Sequence, residues 1–155
     1  YGMIADGLPE LGLSPGDVDE IARDKVYNME NYLYFDDAVP TLQALRGRYR
    51  LGVISDTWPS ITNMLAYGGL TEFFDTFTFS CDVGACKPDP RIYEDALGKL
   101  GLPANETIFI DDFERNLDGA AALGINPVLI TYKPGAVPSE KYPSISKISE
   151  LLSLL

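Results

Sequence analysis

The sequence predicts an α/β fold built on a parallel sheet, and three observations lead there. Four short apolar runs of high β propensity recur, at residues 51–54, 76–80, 107–110 and 128–132. Stretches with helical spacing of apolar residues separate them, and strands alternating with helices in this way form βαβ units with parallel pairing. Polar clusters close three of these segments, at the carboxyl ends of strands where open α/β sheets collect their ligands.

The segments justify themselves in order. Residues 1–34 are helical in character, with Ser14 and Pro15 as a helix start and Ile21, Val26, Met29 and Leu33 as spaced apolar positions. Tyr27, Tyr32 and Tyr34 make that face half polar, so a surface helix pair and a substrate-covering lid both remain open readings. Asp36 and Asp37 read as capping residues before a helix carrying Pro40 in its first turn and Val39, Leu42 and Leu45 on its apolar stripe. The run at 51–54 ends in Ser55-Asp56-Thr57, and Trp58-Pro59-Ser60 is expected to open a helix lasting to about Tyr67, closed by Gly68-Gly69. Helix starts favour anions, which places backbone N–H groups near Ser55 and Thr57.

The strand at 76–80 leads into residues 81–90, read as a loop, and Lys87 precedes a proline-defined helix with Ile92, Tyr93, Ala96, Leu97 and Leu100 as its buried stripe. The next strand delivers Asp111 and Asp112 side by side, ahead of a small-residue helix ending near Gly124. Asn126-Pro127 is expected to turn the chain into the fourth strand. A Pro/Gly-rich loop over 133–143 then leads to a last amphipathic helix with Ile148, Leu151, Leu152 and Leu155.

Composition narrows the chemistry. At 155 residues and 46% hydrophobic, the chain suits one ordinary domain with a real core. A net charge of −11 argues against nucleic acid and against an anionic membrane surface. No run approaches a membrane span and no charged-then-apolar leader opens the chain, so a cytoplasmic protein is expected. With no histidine, Ser-His-Asp triads, histidine general bases and histidine-ligated zinc are excluded, leaving carboxylates, Lys, Ser/Thr and oxygen-ligated metal. Cys81 and Cys86 fit neither a redox CxxC nor a zinc site and read as reduced structural thiols. Asn105-Glu106-Thr107 matches a glycosylation sequon by chance.

Each polar cluster alone has an ordinary explanation: capping for Ser55, Thr57, Asp111 and Asp112, solvation for Lys87. Their placement is what argues for chemistry. A parallel sheet brings a hydroxyl, an ammonium and two adjacent carboxylates to one rim. A Mg²⁺ ion, which takes a few carboxylates plus waters and phosphate oxygens, would offset the two acids. A hydroxyl with helix N–H groups holds phosphoryl oxygens, and Lys neutralises developing charge. A receiver-type phosphorelay domain combines similar residues, but with the acidic pair first and the lysine last, the reverse of the order here.

On these residues the sequence resembles the haloacid dehalogenase-like (HAD) hydrolase superfamily over roughly residues 36–132. Leu51-Gly52-Val53-Ile54-Ser55-Asp56 is similar to its second motif, Lys87-Pro88-Asp89 to its third, and Ile108-Phe109-Ile110-Asp111-Asp112 with Asn116, Gly119 and Ala120 to its fourth. The resemblance implies a three-layer α/β/α Rossmannoid core over 35–155, with residues 1–34 as the remnant of a helical cap. It implies a Mg²⁺-dependent phosphatase working through a phospho-aspartate on a small phosphorylated metabolite. Ser55, Asp56, Thr57 and Lys87 would bind substrate, with Ser55 and Lys87 also in the catalytic step. Asp112 would ligate the metal directly with Asp111 supporting it, and Asn116 would stand one step behind.

The family's first motif, an apolar strand ending in Asp-x-Asp, is not in these residues. The chain opens at Tyr1 with Met3 as the nearest start, and the expectation is that the nucleophile strand precedes it, central between the strands ending at Ser55 and Asp112. Without it, a gap of about two strand spacings, near 10 Å, is expected, with unpaired backbone that self-association could cover. A catalytically inactive truncated domain and a carbon–halogen hydrolase are the alternatives carried forward.

Overall fold

The computed structural model describes residues 11–133 and 135–155; residues 1–10 of the expected cap remnant lie outside them. Helix α1 (Pro15–Tyr27) starts where the sequence places it. Ser14 Oγ accepts the Asp17 N–H while the Asp17 carboxylate accepts the Ser14 N–H, a reciprocal cap ahead of Pro15. Only Val18 of α1 is buried. This segment is tied down by Tyr34, whose hydroxyl donates to the Met64 carbonyl at 2.7 Å.

Next come α2 (Ala38–Leu45), β1 (Gly52–Ser55), α3 (Ile61–Tyr67), β2 (Thr76–Phe79), α4 (Ser80–Val83) and α5 (Pro90–Leu100). They are followed by β3 (Ile108–Asp111), α6 (Glu114–Ala122), β4 (Asn126–Ile130), β5 (Ser144–Ile145) and a closing 3-10 helix (Ile148–Ser153). Every strand pairing is parallel. The strands form two sheets, β1-β2 and β3-β4-β5.

The pleat assigns the two faces. Phe109 of β3 and Leu129 of β4 pack with Ile92, Tyr93, Leu117 and Ala120, from α5 and α6. On the opposite face Val128 and Ile145 pack with Leu45 of α2 and Leu151 of the closing 3-10 helix, Ile110 lying against them. Alternating side chains thus serve two helical layers, giving the α/β/α arrangement.

Among the described residues β1 pairs with β2 alone and β3 with β4 alone. Between them lies an apolar cleft of about 580 Å³, bordered by Val53, Ile54, Ile108 and Ile110 and walled by Leu42 of α2 and Tyr93 of α5.

Several details depart from the expected course. Residues after β2 do not form a plain loop, because α4 follows at once and Gly84, at φ 70°, ends it. Helix α3 begins at Ile61 rather than Trp58, whose carbonyl accepts the Ile61 N–H in a preceding turn. Asp37 stands at the start of α2 without capping it; its carboxylate takes the Ser149 N–H at 3.0 Å, which holds its pKa below the usual value.

Asn126 and Pro127 belong to β4 rather than to a turn. The Asn126 N–H meets the Thr107 carbonyl on the β3 side, and β5 pairs only from Leu129 onward, so no ladder partner is denied by the proline. The last apolar stretch is a 3-10 helix of six residues instead of an α-helix. Cys81 and Cys86 are free but exposed, not core residues. Among the described residues no helix is long and apolar enough to cross a membrane.

Candidate active site

The site grows from the ends of β1 and β3 and from the start of α5. Asp89 caps α5 by accepting the Arg91 N–H at 3.0 Å, with Pro90 in the first turn. That fixes Lys87 two residues before the cap. The Lys87 N–H donates to Asp56 Oδ1 at 2.9 Å, beyond β1, and its ammonium donates to Asp111 Oδ2 at 2.7 Å, at the end of β3. One lysine therefore spans the two strand ends that border the cleft.

Asp111 is the most heavily engaged group. Besides Lys87, its other oxygen accepts the Phe113 N–H and Asn116 Nδ2, each at 2.9 Å. Its side chain is 6% exposed and that of Lys87 12%, so the pair is well removed from water. Asp111 does not cap α6; Phe113 is the N-cap residue and makes no side-chain cap.

Asn116 projects from the first turn of α6 and is itself buried. Its Oδ1 has no hydrogen-bond partner among the described residues. Behind it the Tyr93 hydroxyl donates to the Asn116 carbonyl at 2.8 Å. Burial, then the nearby Asp111 and Asp56 charges, push the Tyr93 pKa well above its ordinary value, so it remains a neutral donor.

Close packing of α6 against the Lys87 loop requires glycine. A Cβ on Gly119 would lie 2.8 Å from Pro88 Cβ and 2.9 Å from the Pro88 carbonyl oxygen.

Asp112 faces the other way. Its carboxylate pairs with Lys133 at 2.7 Å, in a contact whose side chains are 54% and 24% exposed. The hydrogen bond to Asp112 raises the Lys133 pKa.

Of the expected residues, Asp56, Lys87, Asp111 and Asn116 form one connected network, and Asp112 adjoins it. Ser55 ends β1 at the same rim, with no side-chain hydrogen bond among the described residues. Thr57 joins a different set: its N–H donates to Ser80 Oγ at 2.8 Å, and that hydroxyl donates to the Thr57 carbonyl, tying the ends of β1 and β2 together. Sequence reasoning passed over Ser80 and Lys133. Each directly follows or closely trails a strand end, which was the only available signal.

Parallel strands layered between helices, with acids and one lysine gathered at the ends of β1 and β3, make an α/β fold of the kind that collects ligands at its carboxyl rim. The family model for haloacid dehalogenase-like hydrolases matches residues 4–124, and the chain belongs to that family. It is similar to the GMP/IMP nucleotidase YrfG of Escherichia coli (strain K12), 30% identical over 126 residues that cover 77% of this chain and 57% of that protein. It is also similar to haloacid dehalogenase-like hydrolase domain-containing protein 3 of Danio rerio, 28% identical over 86% of this chain and 58% of that protein.

Among solved structures, the HAD phosphatase from Thermococcus onnurineus superposes with a TM-score of 0.72 at 27% identity, covering 77% of this chain and 57% of the other. The chain thus spans little more than half the length of these relatives.

Proposed function

We propose that this chain carries most of the core of a Mg²⁺-dependent phosphatase acting on a small phosphorylated metabolite. The observation that carries the reading is the placement of Lys87, held by Asp56 and Asp111 between the ends of β1 and β3. Relatives named as a phosphatase and a nucleotidase favour phosphoryl transfer.

Asp111 orients the Lys87 ammonium, whose other N–H groups are left to meet phosphoryl oxygens as charge develops on them. Ser55 offers a hydroxyl to the same oxygens from the end of β1. The nucleophile would be an aspartate at the end of a further strand, which the cleft has room to take. Among the described residues β1 and β3 each have one unpaired edge facing an apolar space, and each is four residues long, so one parallel apolar strand of about that length would complete the sheet. Its carboxylate oxygen bonds to phosphorus while the ester oxygen leaves with a proton as the alcohol. Water then cleaves the acyl phosphate, releasing inorganic phosphate and restoring the carboxylate.

The donor set suits Mg²⁺. Asp112 would hold the ion with Asp111 beside it, all donors being oxygens, and waters with substrate oxygens complete such shells. Among the described residues no three potential ligands gather at one point, so these carboxylates supply part of the shell. Asn116, whose Nδ2 donates to Asp111 at 2.9 Å, would hold that carboxylate in place beside the ion. When bound, the ion supplies positive charge to the phosphoryl oxygens.

The test is release of inorganic phosphate from a panel of phosphorylated metabolites, with Mg²⁺ and with chelator, by the whole protein and its Asp112→Asn variant. Mg²⁺-dependent release that Asp112→Asn abolishes is expected. Halide release from 2-haloacids in its place establishes the carbon–halogen reading, and no turnover of either class establishes the inactive domain.

A further inference from the structure

Beside Asp112 stands a group of aromatic rings that the chemistry above does not use. Phe35 precedes α2, Phe113 follows β3 and Tyr132 follows β4, so three connections bring them to the rim that carries the site. Phe35 and Tyr132 meet edge to face with centroids 5.3 Å apart. The Lys133 ammonium, ion-paired to Asp112, lies 5.0 Å from the Phe113 centroid and 5.2 Å from the Tyr132 centroid. The rings and the carboxylate are therefore one continuous surface joined through a single lysine. Yet the rings are not used as core: Phe113 is 57% exposed and Tyr132 41%, while Phe35, 59% exposed, also stands at the edge of the apolar cleft.

A contiguous exposed aromatic patch marks a binding surface, and rings favour flat partners through stacking and edge contacts. A lysine already set against two ring faces adds positive charge beside the platform. We propose that Phe35, Phe113 and Tyr132 form a platform for the leaving group of the substrate, and that this group carries a planar aromatic ring. The inference rests on the phosphatase reading of the adjoining site. Its ligand class is an aromatic phosphomonoester, with a purine, a pyrimidine or a phenyl ring as the flat part.

The experiment separates the two claims. Calorimetric titration of the whole protein with adenosine 5′-monophosphate, uridine 5′-monophosphate, phenyl phosphate and ribose 5-phosphate reads the platform. Phosphate release from the same compounds reads the chemistry. The platform predicts at least one aromatic ligand binding about tenfold tighter than ribose 5-phosphate. That preference should shrink to within about twofold in the Phe113→Leu/Tyr132→Leu double variant.

Which of the three aromatic ligands shows the gain identifies the ring. Equal binding of all four compounds by the native protein, or a preference that survives in the double variant, overturns the platform. Tight binding of an aromatic ligand without hydrolysis overturns the phosphatase and leaves the platform standing. Hydrolysis without an aromatic preference does the reverse. Should the double variant fail to melt cooperatively, Phe35→Leu alone supplies the comparison, and an undiminished preference there overturns the platform.

Discussion

Asp111 and Asp112 are neighbours in sequence, each with a lysine at 2.7 Å, and they occupy opposite kinds of environment. The inner pair, Lys87–Asp111, is out of water and cross-linked to a backbone N–H, an amide and a second carboxylate. The outer pair, Lys133–Asp112, sits at the solvent-facing lip, its ammonium resting against the Phe113 and Tyr132 rings. Removing one partner of a buried pair strands an uncompensated charge, whereas an exposed pair trades readily with water and ions. The inner acid is thus built to stay where it is, and the outer one gives up its partner more readily.

The largest expected effect comes from breaking the inner pair. Lys87→Met should cost about 3–5 kcal/mol in urea denaturation. Lys133→Met should barely move the unfolding midpoint, and equal losses in the two variants would erase the distinction. Next comes Gly119→Ala, whose added methyl meets the Pro88 backbone. A destabilisation of about 1–3 kcal/mol is expected, and a neutral outcome would mean that the Lys87 loop yields easily.

Asn116→Ala removes one of three donors to Asp111 and should cost about 1–2 kcal/mol by the same assay.

The smallest effect lies on the exposed side of the Lys87 loop and sharpens the comparison through pH. The Arg91 side chain and N–H hold the Asp89 carboxyl down at about 2. Its contribution is therefore fully present above the ordinary carboxylate value and is lost as pH falls through about 2. A chemical-shift titration of Asp89 should show the low midpoint, and Asp89→Asn should remove that part of the acid dependence.

Much of this was legible in the chain because periodicity reports burial directly. The runs ending at Ser55 and Asp111 and the Ile92, Tyr93, Ala96, Leu100 stripe were visible for that reason. Ser14 and Pro15 announced α1 through local chemistry alone. The pairings were another matter. That Lys87 meets Asp111, while Lys133 meets Asp112, depends on which crossover lies over which strand, and no short window carries that information. Asp37 looked like a cap because caps are local, but its partner Ser149 lies more than a hundred residues away and wins through tertiary contact. The β4 start was hidden by Pro127, which reads as a turn unless the partner of each N–H is known.

The central claim is that Lys87, fixed between β1 and β3, is the group that meets the phosphate. Its most direct measurement is the rate of Mg²⁺-dependent phosphate release by Lys87→Ala set beside Lys133→Ala. The account predicts a fall of about a thousandfold for the first and no more than about tenfold for the second. Comparable rates in both variants, or a Lys87→Ala protein that keeps most of its turnover, would contradict it.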